Sequence, residues 1–244
     1  MAYADLTTRD SNPVKRWLHR RRIADAVAVV AGAHRQDRPR ILDFGAGDGE
    51  LVRQICDVAS VDAVVYEPAV SLMAEAKQNL AGVGSVKFVD SLVQVDDATF
   101  DYVFCLEVFE HLPTRETAEA IASIDRMLKP GGVAVIGVPH EIHLPALLKG
   151  LFRMARRYGE FDARFGNICA AVLGRPPPQR PVAEIAPGVP FHFHHLGFDY
   201  RALEALLRER FQLAGRWFSP FPAAGAVLNS EVYYLLRKKQ PPLR

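Results

Sequence analysis

Three glycines, Gly45, Gly47 and Gly49, follow directly on the apolar run Ile41-Leu-Asp-Phe44, and Asp43 stands one residue before that run ends. Glycines in this pattern let the backbone turn tightly and approach a ligand with no side chain between. A dinucleotide fingerprint places its glycines at i, i+2 and i+5. Counted from Gly45, the last of those positions is Glu50, a poor neighbour for a pyrophosphate at a helix N-terminus. The turn therefore favours a nucleoside without phosphates, with a positively charged end that carboxylates can receive. Glu67 ends the run Val64-Val-Tyr, where a carboxylate can accept both ribose hydroxyls. Asp90 ends Val86-Lys-Phe-Val89, where it can accept from an adenine amino group. Single acidic residues are common at strand ends as caps; the ordered set with the three glycines carries the signal.

His192-Phe-His-His195 invites a metal reading. Metal sites need ligands that converge, with a carboxylate or thiolate among them. Neighbouring histidines in an extended segment point to opposite faces. No metal is expected, and a part in closing a pocket, with Phe191 and Phe193 as walls, fits better.

The elements that position these residues alternate. A helical pattern covers Val14 to Ala33, opened by Pro13. Strands are expected at Arg40–Phe44, Ala63–Tyr66, Val86–Val89, Asp101–Cys105 and Val133–Val138, with helices at Glu50–Asp57, Ser71–Leu80 and Thr114–Leu128 between them. Apolar strands alternating with helices make a mostly parallel sheet covered on both faces, and ligands then bind beyond the carboxyl ends of the strands. Regularity breaks between His140 and Pro190, where Leu144–Tyr158 reads as an amphipathic helix and Arg175–Pro181 as polyproline and turn. It resumes with a helix at Tyr200–Glu209 and strands at Phe211–Phe218 and Glu231–Arg237.

Composition bounds the answer. The chain has 244 residues, 49% hydrophobic and 24% charged, with a net charge of +2, which excludes a disordered chain. Basic residues cluster at Lys15–Arg22, at Lys149–Arg157 and at Arg175 and Arg180. They read first as solvated helix faces and second as attraction for a phosphate or an anionic membrane surface. Nucleic acid is disfavoured by the small charge excess. Cys56, Cys105 and Cys169 are few and widely spaced, as buried thiols of an intracellular protein are. The start of the chain has no apolar segment of the signal-peptide kind, and no apolar stretch approaches the roughly 20 residues of a membrane span. A cytoplasmic location is expected; oligomeric state is not legible.

Asp-Phe-Gly-Ala-Gly-Asp-Gly at 43–49, Tyr-Glu-Pro at 66–68, Val-Asp-Ser at 89–91, Phe-Asp-Tyr-Val-Phe-Cys-Leu-Glu-Val-Phe-Glu-His-Leu at 100–112 and Leu-Lys-Pro-Gly-Gly at 128–132 together resemble the class I methyltransferases that use S-adenosylmethionine. The variant is similar to the ubiquinone- and menaquinone-type methylase branch. The resemblance implies a Rossmann-like methyltransferase fold of class α/β. Its seven-stranded, mostly parallel sheet has one antiparallel strand, helices on both faces and an insertion after the fifth strand. The chain then forms one domain over 1–244, with an N-terminal helical segment over 1–35 and the 140–190 insertion as a lid over the acceptor site.

The resemblance also assigns residues. Asp43, Gly45, Ala46, Gly47 and Gly49 would take the methionine part of the cofactor. Glu67, with Pro68, would take the ribose, and Asp90, Ser91 and Leu92 would border the adenine. Leu106 and Glu107 would line the methionine end near the reacting sulfonium. An oxygen nucleophile also needs a proton removed, which makes His111, His140 and His143 the candidate bases. The acceptor expected is a small or lipid-linked molecule methylated at oxygen, with peripheral membrane contact allowed. The alternatives are a nicotinamide-dependent oxidoreductase, which Glu50 opposes, and a non-catalytic cofactor-binding module of the same fold.

Overall fold

The computed structural model describes residues 11–31, 38–186 and 188–239. A first helix, α1 (Pro13–Ala31), leads to β1 (Arg40–Phe44), α2 (Glu50–Val58), β2 (Asp62–Tyr66), α3 (Val70–Asn79), β3 (Ser85–Val89), β4 (Phe100–Leu106), α4 (Thr114–Met127) and β5 (Leu128–Pro139). Then come α5 (His143–Arg157), α6 (Phe165–Val172) and a hairpin of β6 (Ala183–Ala186) and β7 (Val189–Phe191). The chain closes with α7 (Tyr200–Arg210), β8 (Phe211–Ser219) and β9 (Glu231–Lys238).

Seven strands form one sheet in the order β3-β2-β1-β4-β5-β9-β8. β3, β2, β1, β4 and β5 pair in parallel, and β9 runs antiparallel to both β5 and β8. β9 is thus the one reversed strand, as the resemblance implies. The strand residues are apolar on both sides because helices cover both faces. Ile41, Val65 and Phe104 look towards α1, α2 and α3, which supply Val30, Ile55 and Ala76. Leu42, Val103 and Ile136 look the other way, towards Ile124 of α4 and Leu207 of α7.

The 140–190 region holds more structure than the sequence reading gives it. α5 is present, but α6 and the β6/β7 hairpin were not expected. The hairpin forms a separate two-stranded sheet. Ala146, Ile168, Ala171 and Leu196 make a small core of their own. Gly150 lets α5 and α6 meet, since a Cβ there would stand 2.7 Å from Ile168. Runs such as Phe165–Val172 lack capping residues and polar alternation (Arg164 caps α6 with no side-chain hydrogen bond), so nothing local marks the helix.

Candidate active site

The carboxyl ends of β1, β2 and β4 open on a cavity of about 1240 Å³. That exceeds the roughly 300–1,000 Å³ of ordinary small-molecule pockets, leaving room for two ligands side by side. Its walls come from the glycine turn, the ends of β2 and β4, the inner side of α1, the start of α4 and the β6/β7 hairpin.

The glycine turn has the form its composition requires. Gly45, Gly47 and Gly49 all take left-handed φ, at 77°, 56° and 74°, which costs other residues roughly 1–2 kcal/mol. The amides of Gly45 and Ala46 donate to the carbonyl of Tyr66 at 2.9 and 3.0 Å, tying the turn to the neighbouring strand end. A Cβ on Gly45 would stand 2.5 Å from Val108, and one on Gly49 would stand 2.7 Å from Leu80. Gly49 therefore seats α2 on α3 and does not line the cavity. Gly49→Ala is expected to lower the unfolding free energy by about 1–3 kcal/mol through backbone strain and overpacking, read from a denaturant midpoint.

Asp43 is 3% exposed and lines the cavity, and its Oδ2 has no hydrogen-bond partner. Burial, then the nearby carboxylates of Glu67 and Asp48, push its pKa up to about 8. Glu67 is buried at the end of β2, and each of its oxygens already accepts one backbone amide, from Gly47 and from Ala69, both at 2.9 Å. Glu67 also lines the cavity. Glu50 also lines the cavity, with its carboxylate held in a side-chain cluster. Arg53, Gln54 and Asn79 donate to it and, against the opposing effect of burial, hold its pKa at about 2.

Ala46, Pro68, Leu92, Leu106 and Glu107 also line the cavity, whereas Asp90 and Ser91 do not. Asp90 is exposed and accepts from Gln94 at 3.2 Å, and the Ser91 hydroxyl accepts from the amide of Val93. Glu107 takes a left-handed φ of 56° as β4 ends, a conformation that costs energy in a non-glycine residue and clusters at functional sites. Its carboxylate lies 3.0 Å from Arg22 of α1, which also pairs with Glu231 at 2.7 Å. Two buried carboxyls thus share one guanidinium, and burial drives the Glu107 pKa well upward despite Arg22.

Arg22 was placed by composition on a basic face; instead it points inward, and Ile23 and His19 line the cavity beside it. The signal was present. Arg22 precedes the buried Ala26 and Val30 by four and eight residues, on one stripe of the helix.

Of the three histidines, only His111 reaches the cavity. Its Nδ1 is 2.7 Å from the carbonyl oxygen of His192. A carbonyl only accepts, so Nδ1 carries the proton and Nε2 is the free base. The ring stacks on Phe191 at 4.3 Å and meets the edge of His195 at 4.7 Å. Burial, despite the His192 carbonyl, lowers its pKa to about 4. Glu110, fully buried with both carboxyl oxygens unpartnered, lies 3.8 Å from Nε2. Its own pKa rises to about 8, chiefly through burial, so the pair meet as neutral groups at pH 7 and not as an ion pair.

His140 and His143 do not fit the role of base. His140 is fully buried behind β5, edge-on to Tyr200 at 4.9 Å, with Nδ1 against the Asn229 carbonyl. Its amide continues the pairing of β5 with the β8–β9 connection, donating to Ser230, which carries it past the cavity. His143 is exposed at the start of α5, with Nδ1 3.2 Å from the Val172 carbonyl.

The second histidine cluster divides as alternation requires. His192 points to the Pro181 carbonyl, His194 to Phe161 and Asp162, and His195 to His111. Phe191 and Phe193 line the cavity. Among the described residues, two groups bring three potential ligand atoms within 4.8 Å of one another: Glu110, His111 and His195, and Glu160, Asp162 and His194. In the second, Asp162 is already engaged by Arg157 at 2.5 Å and Arg153 at 3.3 Å. Three of the insertion's basic residues are likewise engaged: Lys149 and Arg153 pair with the buried Glu141, and Arg180 donates to the carbonyls of Glu110 and His194.

Residues 15–167 match a family described as a methyltransferase domain. Over 101 residues the chain is 34% identical to phosphoethanolamine N-methyltransferase 2 of Caenorhabditis elegans, covering 39% of this chain and 23% of that protein. Over 97 residues it is 32% identical to the ubiquinone biosynthesis O-methyltransferase of Alkalilimnicola ehrlichii, covering 38% of each. The matches thus span well under half of these relatives' length. Among solved structures, the PH0226 protein of Pyrococcus horikoshii OT3 superposes with a TM-score of 0.66 at 17% identity, covering 97% of this chain and 96% of that one. The N-methyltransferase NodS of Bradyrhizobium japonicum WM9, crystallised with S-adenosyl-L-homocysteine, gives 0.59 at 14% identity, covering 95% and 90%. These two likenesses carry the fold, which is Rossmann-like. The chain belongs to the methyltransferase-domain family.

Proposed function

We propose that the protein transfers a methyl group from S-adenosylmethionine to an oxygen of a small or lipid-linked acceptor, with His111 as the general base. The observation that carries this reading is the neutral His111 ring at the cavity wall, its Nδ1 fixed by the His192 carbonyl and its Nε2 left free to take a proton. A positioned base of this kind contributes about 10²–10⁴-fold. Holding acceptor and methyl donor in line supplies more, about 7–11 kcal/mol. Phe191 and Phe193 of the hairpin segment give the acceptor an apolar wall, and the 140–190 region serves as its lid.

The cofactor half is read from the carboxylates. Asp43, buried and unpartnered on one oxygen, fits an ammonium group, and the Gly45–Gly49 turn keeps side chains out of its way. Glu67 takes the ribose through its free lone pairs, and Pro68 and Leu92 flank the base. Asp90 and Ser91, held by local hydrogen bonds, stand outside this set. Leu106 and Glu107 line the methionine end, where Arg22 holds the Glu107 carboxylate. When bound, S-adenosylmethionine supplies the electrophilic methyl group; everything else in the step is orientation and proton removal by this chain.

The first test is calorimetric titration with S-adenosylmethionine and S-adenosylhomocysteine, with NAD as control. Both sulfur nucleosides should bind and NAD should not. NAD binding alone would return the chain to the oxidoreductase reading.

The same titration carries a proton signature. With its pKa raised to about 8, Asp43 is protonated in the free protein at pH 6.5, and its contribution to stability is lost as pH rises through 8. A bound ammonium group reverses this preference. Binding at about pH 6.5 should therefore release up to about one proton per cofactor, seen as heat that varies with buffer ionisation enthalpy. Asp43→Asn should abolish that release and weaken binding by about 1–3 kcal/mol. Unchanged proton release in the variant would remove Asp43 from the cofactor site.

A further inference from the structure

Helix α5 is amphipathic with its polarity reversed. Its inner face carries Lys149 and Arg153, which neutralise the fully buried Glu141, together with the small residues Ala146 and Gly150. Its outer face presents Leu147, Leu148, Leu151, Phe152 and Ala155 to solvent, with Leu148, Leu151 and Phe152 each more than half exposed. At 100° per residue these five fall on one side of the helix. Soluble helices turn that stripe inward. Tyr158, three-quarters exposed, and Phe165 extend the patch beyond the helix end.

The charge around this stripe selects the partner. α5 contains no acidic residue. At its margin, Arg156 lies exposed with its guanidinium 5.3 Å from the Phe152 ring centre, and Arg164 is exposed after the following turn. An apolar helix face edged by arginines and an aromatic tip is the surface that lies in the headgroup–acyl boundary of an anionic bilayer. Its position also suits that use. The turn after α5 places Phe161 5.9 Å from the ring of His194. The residue before it, Phe193, is both exposed and part of the cavity wall, as is Ile185 of the hairpin.

We propose that the outer face of α5 docks this protein on an anionic lipid bilayer, setting the apolar hairpin side of the cavity against the membrane surface. The proposal rests on the lipid-linked arm of the function above. No helix among the described residues is long and apolar enough to cross a membrane, so the contact is peripheral.

Co-sedimentation with vesicles of phosphatidylglycerol and phosphatidylcholine, against phosphatidylcholine alone, tests it. The wild-type chain should bind the anionic vesicles more tightly, and added salt should weaken that binding without abolishing it. The triple variant Leu148→Glu, Leu151→Glu, Phe152→Glu should lose binding at least about tenfold while keeping its thermal midpoint and its affinity for S-adenosylhomocysteine. That affinity reports on the cofactor reading separately, so failure of one leaves the other standing. The proposal is overturned if the wild type binds neither vesicle, or if the variant binds as well as the wild type. It is also overturned if the wild type forms a concentration-dependent dimer in sedimentation that the variant abolishes, which would make the face an interface between copies.

Discussion

His111→Gln is expected to slow methyl transfer by about 10²–10⁴-fold, or about 3–5 kcal/mol at 1.36 kcal/mol per tenfold. S-adenosylhomocysteine affinity should stay within about twofold, since the ring packs among Phe191, His192 and His195, on the side the proposed function gives to the acceptor. Gln keeps a donor for the His192 carbonyl, so the variant retains the loop and loses the base. The pH dependence follows from the lowered pKa. Above about 4 the ring is neutral and Nε2 is available, so the rate should be insensitive to this group through the neutral range and fall only as pH drops through 4. Full activity in the variant would point to an acceptor that attacks without losing a proton in the same step, such as a free amine. Loss of wild-type activity on chelation, restored by a divalent cation, would give Glu110, His111 and His195 to a metal ion and remove the proton role.

The parts of the site legible in the sequence are those set by local rules. A left-handed turn demands glycine at 45, 47 and 49, and a parallel sheet delivers its strand-end residues to one rim, so Asp43 and Glu67 could be placed by counting, whereas Glu107 came with the family resemblance. Position after a strand is a weaker guide where strands differ in reach. β5 continues to Pro139 and stays paired with β9 up to Glu231, so His140 passes behind the sheet end and packs on Tyr200 instead of facing the ligand. Asp90 fails for a related reason: Gln94, four residues on, lies within its reach and claims it. For Arg22 the helix stripe showed only that it faces inward; its partner Glu107, like the pairing of His111 with His192 beside the hairpin, depends on a contact across more than 80 residues. A basic residue reads as solvated until its buried partners are known. The same holds for Lys149 and Arg153, whose partner Glu141 is a single acidic residue in an otherwise apolar stretch.

Glu141→Ala should lower the unfolding free energy of the insertion by about 3–5 kcal/mol, the cost of breaking a buried ion pair by deleting one partner. Glu141 is 1% exposed, and both its oxygens are held, at 2.9 Å from Lys149 and at 2.8 and 3.0 Å from Arg153. Burial alone would raise its pKa; the two cations overcome that and depress it below the ordinary glutamate value of 4.5. A depressed pKa contributes stability that is fully present above 4.5 and is lost progressively as pH falls below it. The effect concentrates on α5 because little else holds that helix. Its private core is two alanines, Ile168 and Leu196, with Met154 and Val172 packed against them, while Leu147, Leu148, Leu151 and Phe152 face outward. Hydrogen exchange should therefore show residues 143–157 opening in the variant at pH 7, and in the wild type only on acidification, while β1, β4 and β5 stay protected. Lys149 keeps the carbonyls of His140 and Ser230 as acceptors, so the loss falls mainly on Arg153, which retains Asp162 at 3.3 Å. A smaller loss in Glu141→Gln, which can still accept from Arg153, would separate the hydrogen bonds from the charge. Protection over 143–157 unchanged in Glu141→Ala would mean that the helix is held from its outer face instead, by whatever covers Leu148 and Phe152.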